Sequence, residues 1–143
     1  MVMIKTPKII IKNLQKKISI SPRIIRKAVL NALAKESVKK GGEITVCFVT
    51  DLKIKELNLK YLHHSGPTDV ISFDISEDPK VFMADIILST DTAIRNAKIY
   101  STTPKQEALL YAIHGTLHLI GYDDSSPAQR SIMRKKESLY GHP

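Results

Sequence analysis

The chain has 143 residues, of which 43% are hydrophobic and 25% charged, values typical of one globular domain. It carries a net charge of +8 and a single cysteine, Cys47, which excludes an intramolecular disulfide. No apolar run approaches the roughly 20 residues of a membrane-spanning helix, and the N-terminal residues lack the pattern of a signal peptide. We therefore expect residues 1–143 to form a single cytoplasmic domain without a membrane-bound part.

The first 40 residues predict one short strand and one helix. Residues 9–11 are three isoleucines between lysines and predict the strand. The Ser-Pro pair at 21–22 predicts a helix start, because serine caps a helix and proline suits its first position. Apolar side chains recur at helical spacing over residues 24–33. We expect the Gly-Gly pair at 41–42 to end this helix.

This basic N-terminal strand and helix (residues 1–40) hold the whole excess of positive charge. They contain eleven of the 22 Lys and Arg residues and one acid, Glu36. Such a footprint attracts polyanions, above all nucleic acid, although a merely solubilising surface would have the same composition. The side chains that we expect to contact a nucleic-acid backbone are Arg23, Arg26, Lys27, Lys35, Lys39 and Lys40.

The middle of the chain predicts a strand, a helix and a hairpin. Residues 43–49 (EITVCFV) are rich in β-branched and apolar side chains and predict a buried strand, and a short helix follows to about residue 61. The segment HHSGP at 63–67 predicts a loop. Residues 69–75 alternate apolar and polar side chains, and with the apolar run at 81–88 they predict a β-hairpin.

The C-terminal part predicts three helices. Ser89 caps the first, and the segments TPKQ (103–106) and SPAQ (126–129) have the form of capping boxes that open the other two. Gly121 is expected to end the middle helix. The resulting order β-α-β-α-β-β-α-α-α predicts an α+β fold, a small mixed sheet packed with helices.

The segment HGTLHLIGYDDSS (114–126) has the spacing of a metal site. His114 and His118 are four residues apart on the predicted helix, so their imidazoles leave the same face. After the turn at Gly121, the chain can return Asp124 to the same ion, although two histidines at this spacing are also common as structural residues. Two histidines and one carboxylate suit zinc with an open position for water, and iron(II) or another divalent ion would accept the same set.

The pattern only partly matches the HExxH frame of zinc peptidases. Gly115 stands where those enzymes carry their glutamate base, which argues against peptide hydrolysis. A metal-bound water with a pKa lowered to roughly 7 would suffice to attack a phosphodiester. Asp123 would either assist that water or only cap the turn after Tyr122, and His64 is the other side chain that would assist it.

Two long motifs carry a family resemblance. HGTLHLIGYDD (114–124) resembles the HGxLHLxGYDH signature of the YbeY family, bacterial endoribonucleases of rRNA maturation and ribosome quality control. Residues 57–75 resemble the family's LNxxYRxxxxPTDVLSFP segment, and ADIILS (84–89) resembles its GDIxIS strand. Met133 and Glu137 fit its closing helix. The resemblance covers about residues 45–140 in the right order.

This resemblance implies an α+β domain with a zincin-like metal-binding helix. It implies metal-dependent cleavage of single-stranded RNA near the 3′ end of 16S rRNA, with the ribosome or its small subunit as partner and no small-molecule cofactor. The expected cofactor is one zinc ion, held by His114, His118 and Asp124 in place of the family's three histidines. The matched block also marks residues that either line the cleft or only fix the strand, namely Thr68, Asp69 and Ser72.

Two departures from the family's pattern bear on catalysis. Asp124 is shorter and harder than histidine, and its charge should weaken the acidification of a bound water. Leu62 stands where the family usually has an arginine that is expected to act on the phosphate. His63 or His64 would replace its charge only if protonated and aimed inward. The alternatives are therefore a ribosome-binding or RNA-binding protein with a structural metal, and a hydrolase of a small substrate or peptide.

Overall fold

The computed structural model describes residues 5–62 and 68–141. Within these residues, four strands and five helices follow one another in the predicted order. They are β1 (Lys8–Asn13), α1 (Pro22–Lys35), β2 (Gly41–Val49), α2 (Asp51–Leu62), β3 (Val70–Asp74), β4 (Val81–Ser89), α3 (Thr90–Tyr100), α4 (Pro104–Leu119) and α5 (Pro127–Tyr140). The α+β fold is thereby confirmed. In the described ranges no helix is both long enough and apolar enough to cross a bilayer.

The sheet is small and mixed, as predicted, with the strand order β1-β2-β4-β3. β1 runs parallel to β2, and β2 runs parallel to β4 with Val46 opposite Ile86. β3 and β4 form the predicted antiparallel hairpin, in which Val70 pairs with Leu88. β3 is thus an edge strand, and α4 packs against both strands of the hairpin.

The two faces of the sheet bury different helices. On one face, Phe48 and Phe82 belong to the main core, to which α1, α3 and α4 contribute. On the other face, Ile87 packs with Ile54 of α2 in a smaller cluster. The free cysteine, Cys47, is half-buried beside that second cluster. On the first of these faces, α4 packs against the sheet and against α1, α3 and α5.

α4 approaches the sheet most closely at Gly115. A Cβ atom at this position would lie 2.6 Å from Cγ2 of Ile86 and 3.2 Å from Cγ2 of Val70. Both neighbours are β-branched, and Ile86 is fully buried, so their methyl groups cannot move aside without cost. The distance between helix and sheet therefore requires glycine, and position 115 faces the sheet.

α1 ends earlier than its sequence predicted. Lys35 is its last residue, and Ser37 adopts a left-handed φ of +58°. The N–H of Ser37 donates to the carbonyl of Ala34, and the N–H of Val38 donates to that of Leu33. This is the Schellman pattern, with serine at the position that glycine usually takes.

The Gly-Gly pair at 41–42 consequently does not end α1, and the prediction that it would was wrong. Both residues belong to β2. A Cβ at Gly42 would lie 2.1 Å from the carbonyl oxygen of Phe82 in the neighbouring strand, so the glycine permits a close approach of two strands. Lys39 and Lys40, which we expected on the helix, lie in the connection from α1 to β2.

Both predicted capping boxes are present. The side chain of Thr103 accepts from the N–H of Gln106, whose side chain accepts from the N–H of Thr103. Ser126 and Gln129 repeat the arrangement at the start of α5. Because each box fixes where a helix begins, α4 and α5 start at the prolines that the sequence indicated.

Candidate metal centre

α4 brings two histidines together on one face. His114 and His118 are one turn apart, and their Nε2 atoms lie 2.9 Å from each other. Their side chains are mostly buried, with 19% and 29% of their surface exposed. The two rings meet nearly edge to face. Two imidazole nitrogens therefore point at one position, which the spacing on the helix predicted.

The loop after α4 returns Asp124 to these histidines. Gly121 has a φ of +107°, and its N–H donates to the carbonyl of His118 as α4 ends. The chain then turns back, so that Oδ2 of Asp124 lies 3.2 Å from Nε2 of His114 and 3.4 Å from Nε2 of His118. The structure thus brings the three residues expected to hold a metal into one cluster.

The chemistry of this cluster suits a transition ion. Zinc bonds of about 2.0–2.2 Å place neighbouring ligand atoms of a tetrahedron roughly 3.3–3.6 Å apart. Two of the three distances in the cluster, 3.2 and 3.4 Å, are close to that spacing, and the distance between the two Nε2 atoms, 2.9 Å, is shorter. Imidazole nitrogens favour zinc and its neighbours over magnesium or calcium, which prefer oxygen ligands. The residues present therefore fit one divalent transition ion.

Glu137 of α5 fixes the orientation of the first histidine. Its Oε1 lies within hydrogen-bonding distance of Nδ1 of His114. A carboxylate only accepts, so Nδ1 carries the proton and Nε2 is left for an ion. Burial lowers the pKa of His114, but the hydrogen bond to Glu137 and its charge outweigh burial and raise that pKa above the usual value.

From its sequence, Glu137 was expected in the closing helix but without a role at the site. One signal that would have found it is its spacing from Met133. The two residues are four apart on α5, and Met133 is 2% exposed. Glu137 therefore shares the inward face of the helix, where a charged residue usually has a partner.

A second carboxylate contacts the loop that carries Asp124 (residues 120–126, called the metal loop). Glu36, the residue that follows α1, accepts hydrogen bonds from the hydroxyls of Tyr122 and Tyr140 and from Nζ of Lys136 at 2.9 Å. Burial raises the pKa of Glu36, but these three hydrogen bonds and the charge of Lys136 together lower it to about 2. Glu36 is therefore ionised at neutral pH and joins α1 to the loop and to α5.

A cavity of about 430 Å³ opens beside the cluster. His114 and Asp124 border it at the candidate metal site, and Tyr100 of α3 borders it further along. α5 supplies Arg130 and Arg134 to the same wall. Cavities of this size accommodate small organic ligands, and a nucleotide unit falls within that range.

One of the three residues expected to line the cleft borders this cavity. Asp69 does so, and its Oδ1 accepts from the N–H of Val70 at 2.8 Å and from the hydroxyl of Thr68 at 3.3 Å. Thr68 itself is half-buried and supports Asp69. Ser72 lies within the hairpin opposite Ile86 and is not among the described residues that border the cavity.

Asp123 makes hydrogen bonds of the kind that its turn-capping alternative predicts. Its Oδ1 accepts from the N–H of Asp124 at 2.7 Å, and its Oδ2 accepts from the hydroxyl of Ser125 at 3.2 Å. Both bonds are internal to the loop that carries the third donor. His64, the other side chain expected to assist, lies outside the described residues, as does His63.

The basic side chains of the first 40 residues lie elsewhere on the surface. None of the six is among the described residues that border the cavity. Nε of Arg26 donates to the carbonyl of Ile9, and Nζ of Lys40 lies 4.2 Å from the ring centroid of Phe82. The other four are exposed, namely Arg23, Lys27, Lys35 and Lys39. Their contact with nucleic acid stays a prediction.

Comparison with known proteins places this chain in one family. The sequence model of the family described as "Endoribonuclease YbeY" matches residues 10–142. The chain is 40% identical over 120 residues to Endoribonuclease YbeY of Parabacteroides distasonis, an alignment that covers 82% of this chain and 84% of the relative. It is 38% identical to Endoribonuclease YbeY of Syntrophus aciditrophicus, over 94% of this chain and 91% of the relative.

Two further matches differ in extent. Endoribonuclease YbeY of Rhodopirellula baltica is 39% identical over 79% of this chain, and the alignment spans only 59% of that longer relative. Among solved structures, the solution structure of TM1509 from Thermotoga maritima superposes with a TM-score of 0.62 at 26% identity, over 95% of this chain and 87% of that one. The overall fold of this chain is therefore one that a solved structure also has.

Proposed function

Because this chain belongs to the YbeY family of endoribonucleases, we propose that it cleaves single-stranded RNA in rRNA processing. The substrate in this proposal is the 3′ end of 16S rRNA, and the setting is ribosome maturation and quality control in the cytoplasm. The observation that supports it best is the convergence of His114, His118 and Asp124 within the region that the family shares. The family match favours a nuclease over an RNA-binding protein whose metal is only structural.

The cofactor in this proposal is one zinc ion held by the three clustered residues. When bound, it would acidify a coordinated water molecule and draw charge from a phosphate oxygen. His114 and His118 supply nitrogen donors whose positions are fixed by one turn of α4. Glu137 holds the proton of His114 on Nδ1, and Asp124 supplies the oxygen donor.

The remaining residues of the chain position these donors and shape the access of RNA. Asp123 acts through the backbone of Asp124, and Asp69 places a carboxylate on the cavity wall next to His114. Hydrolysis breaks one P–O ester bond and delivers a proton to the leaving oxygen, so the cavity must admit both a phosphate and water. Its open side beside Asp124, whose side chain is 41% exposed, allows this.

The basic N-terminal strand and helix would extend the RNA-binding surface beyond the cavity. Eleven Lys and Arg residues over residues 1–40 suit the phosphate backbone of rRNA or the surface of the small ribosomal subunit. We propose that residues 1–143 carry both parts, the metal site and this basic surface, in one domain. Binding of this kind weakens steeply as salt rises.

The test compares cleavage, metal content and stability in matched variants. Zinc-loaded protein is mixed with labelled single-stranded RNA, and Asp124→Ala and His114→Ala are compared with Asp78→Ala, an exposed aspartate in the turn between β3 and β4. We expect the two cluster variants to lose zinc and cleavage, and Asp78→Ala to keep both. The proposal fails if His114→Ala cuts the RNA as well as the unchanged protein does.

Thermal melts with and without a chelator distinguish the alternative. If the metal is structural only, its removal lowers the melting temperature strongly, and the loaded protein binds RNA without cutting it. A catalytic ion on a preformed site predicts cleavage by the loaded protein and a smaller change in the melting temperature. Such a site needs an open position for water, which a purely structural site usually lacks.

A further inference from the structure

Two arginines of α5 face the cavity that contains the metal cluster. Arg130 and Arg134 are four residues apart, so they lie one above the other on the same side of the helix. Both border the cavity together with His114 and Asp124. Neither arginine belongs to a motif that the sequence indicated.

Neither arginine forms a salt bridge with an acidic residue in the described part of the chain. Among the described residues, no carboxylate oxygen lies within 4.0 Å of either guanidinium, whereas Lys136 of the same helix is paired with Glu36. Nη1 of Arg130 donates to the main-chain carbonyl of Asp124 at 3.3 Å, which holds this side chain at the metal loop. Both arginines are exposed, so their remaining N–H groups are available to a ligand.

Because the cavity wall is acidic, an anionic ligand needs the positive charge of the two arginines. Four carboxylates border the cavity, namely Asp69, Glu107, Asp124 and Glu137. An ion in the cluster offsets part of their charge, but a phosphate would still meet an acidic wall. The cationic side chains that border the cavity, within the described part of the chain, are Arg130 and Arg134.

We infer that Arg130 and Arg134 form a phosphate-binding subsite for the RNA strand next to the metal cluster. A guanidinium donates two parallel N–H bonds to two phosphate oxygens, a geometry that lysine cannot offer. With a spacing of one helical turn, the pair can hold one phosphate between them or two successive ones. This inference rests on the proposed function, from which it takes RNA as the ligand. It adds that α5 orients the RNA strand beside the metal cluster.

The experiment measures RNA binding as well as cleavage. Arg130→Gln, Arg134→Gln and the double variant are compared with Lys135→Gln, which removes one exposed charge from α5 outside the cavity wall. Fluorescence anisotropy of labelled single-stranded RNA gives the affinity of each zinc-loaded protein, and a gel checks that the RNA is still intact. The titration is repeated at several salt concentrations.

We expect each arginine variant to bind RNA about fivefold more weakly and the double variant about 20-fold more weakly. The slope of log affinity against log salt should fall by about 0.7 for each phosphate contact removed from a single strand. Lys135→Gln should stay within about twofold of the unchanged protein. The inference is overturned if the double variant has the affinity and the salt slope of Lys135→Gln.

The same data show whether the arginines act only on the structure of the protein. They also distinguish a failure of the subsite from a failure of the proposed nuclease function. Arg134 makes no bond to the metal loop among the described contacts, so Arg134→Gln should keep its zinc and its melting temperature while losing affinity. If the unchanged protein binds RNA through these arginines but does not cut it, the subsite stands and the proposed nuclease function fails. If it cuts RNA and the arginine variants bind normally, the subsite alone fails.

Discussion

The carboxylate of Glu36 accepts a hydrogen bond from the hydroxyl of Tyr122, two residues before Asp124. The two partners are 86 positions apart in the sequence. Glu36 also accepts from Lys136 and Tyr140 of α5, so one acid at the end of α1 joins both segments that support the cluster. The position of Asp124, the third residue of the candidate metal cluster, therefore depends on a residue in the basic N-terminal part of the chain.

Replacing Glu36 by glutamine should destabilise the protein and loosen the metal loop. The amide keeps the size of the side chain but loses the charge to which Tyr122, Tyr140 and Lys136 donate. Hydrogen bonds to a charged group contribute about 1.5–3 kcal/mol, and we expect a loss of roughly that size in the free energy of unfolding. Urea denaturation followed by circular dichroism measures it.

The matched control for that substitution is Glu77→Gln, an exposed acid in the turn between β3 and β4. Its free energy of unfolding should change by less than about 0.5 kcal/mol. Equal losses in both variants would show that net charge, and not the contacts of Glu36, determines the effect. Glu36→Gln should also hold zinc more weakly than Glu77→Gln does, because Tyr122 leads directly into the metal loop.

Glu36 should also make the free energy of unfolding depend on pH in the acidic range. The pKa of Glu36 is about 2 in the folded protein, whereas the ordinary value of 4.5 applies to the unfolded chain. The unfolded chain therefore binds the proton more readily. The stabilisation is therefore complete above about pH 4.5 and is lost as the pH falls from there toward 2. Denaturation of the metal-free protein at pH 7 and pH 3 measures this, with Glu36→Gln as reference.

The difference in stability between the unchanged protein and Glu36→Gln should accordingly shrink at pH 3. Metal-free protein is used because histidine ligands also release their metal in acid. A difference that stays constant between pH 7 and pH 3 would contradict the assignment of the lowered pKa to this carboxyl.

Glu137→Gln should weaken the metal site with little change in fold. Glutamine can still accept from Nδ1 of His114, but it lacks the charge that favours this orientation of the ring. Removing such a supporting carboxylate typically costs 10- to 100-fold in metal affinity, and we expect a loss near the lower end of about tenfold. Competition with a chromogenic chelator gives the affinity, and Glu56→Gln on α2 is the control. An unchanged zinc affinity would exclude a positioning role.

Gly121→Ala should strain the end of α4. The φ of +107° at Gly121 disfavours any side chain, although a Cβ there would meet no atom within 4 Å. We expect a loss of about 1 kcal/mol in the free energy of unfolding from the backbone alone. Gly41→Ala is the matched control, since a Cβ at Gly41 also meets nothing within 4 Å and its φ is not in the left-handed region. If both variants lose the same stability, the left-handed turn is not the cause.

The predictable part of this structure is local in sequence. The capping boxes at Thr103 and Ser126 and the turn at Gly121 follow from residue types within a few positions, and they fix where α4 and α5 begin and where α4 ends. The end of α1 uses the same hydrogen-bond pattern as the end of α4 but places Ser37 in the left-handed position. Serine seldom adopts that conformation. The residues around Ser37 therefore carry no signal for a helix end, and α1 was predicted too long.

The part that could not be predicted depends on contacts between distant segments. Glu137 meets His114 across 23 positions and Glu36 meets Tyr122 across 86, and only the packing of α5 and α1 against α4 brings them together. The arginines on the cavity wall are a third case, because an exposed basic residue on an amphipathic helix usually faces only solvent. Sequence motifs predict which residues form the candidate metal cluster, whereas tertiary packing determines which side chains support them.

The contact of Gly115 with Ile86 also limits what chemistry the helix can acquire. In the HExxH frame the residue after the first histidine is the base, but here that position points into the sheet, where a Cβ would lie 2.6 Å from Cγ2 of Ile86. A glutamate placed there by a single substitution would push α4 away from β4 before it could reach the cluster. Peptidase activity would therefore require a new packing distance between helix and sheet as well as a new side chain. The fold thus keeps two histidines available on α4 while excluding the base that would direct them to peptide bonds.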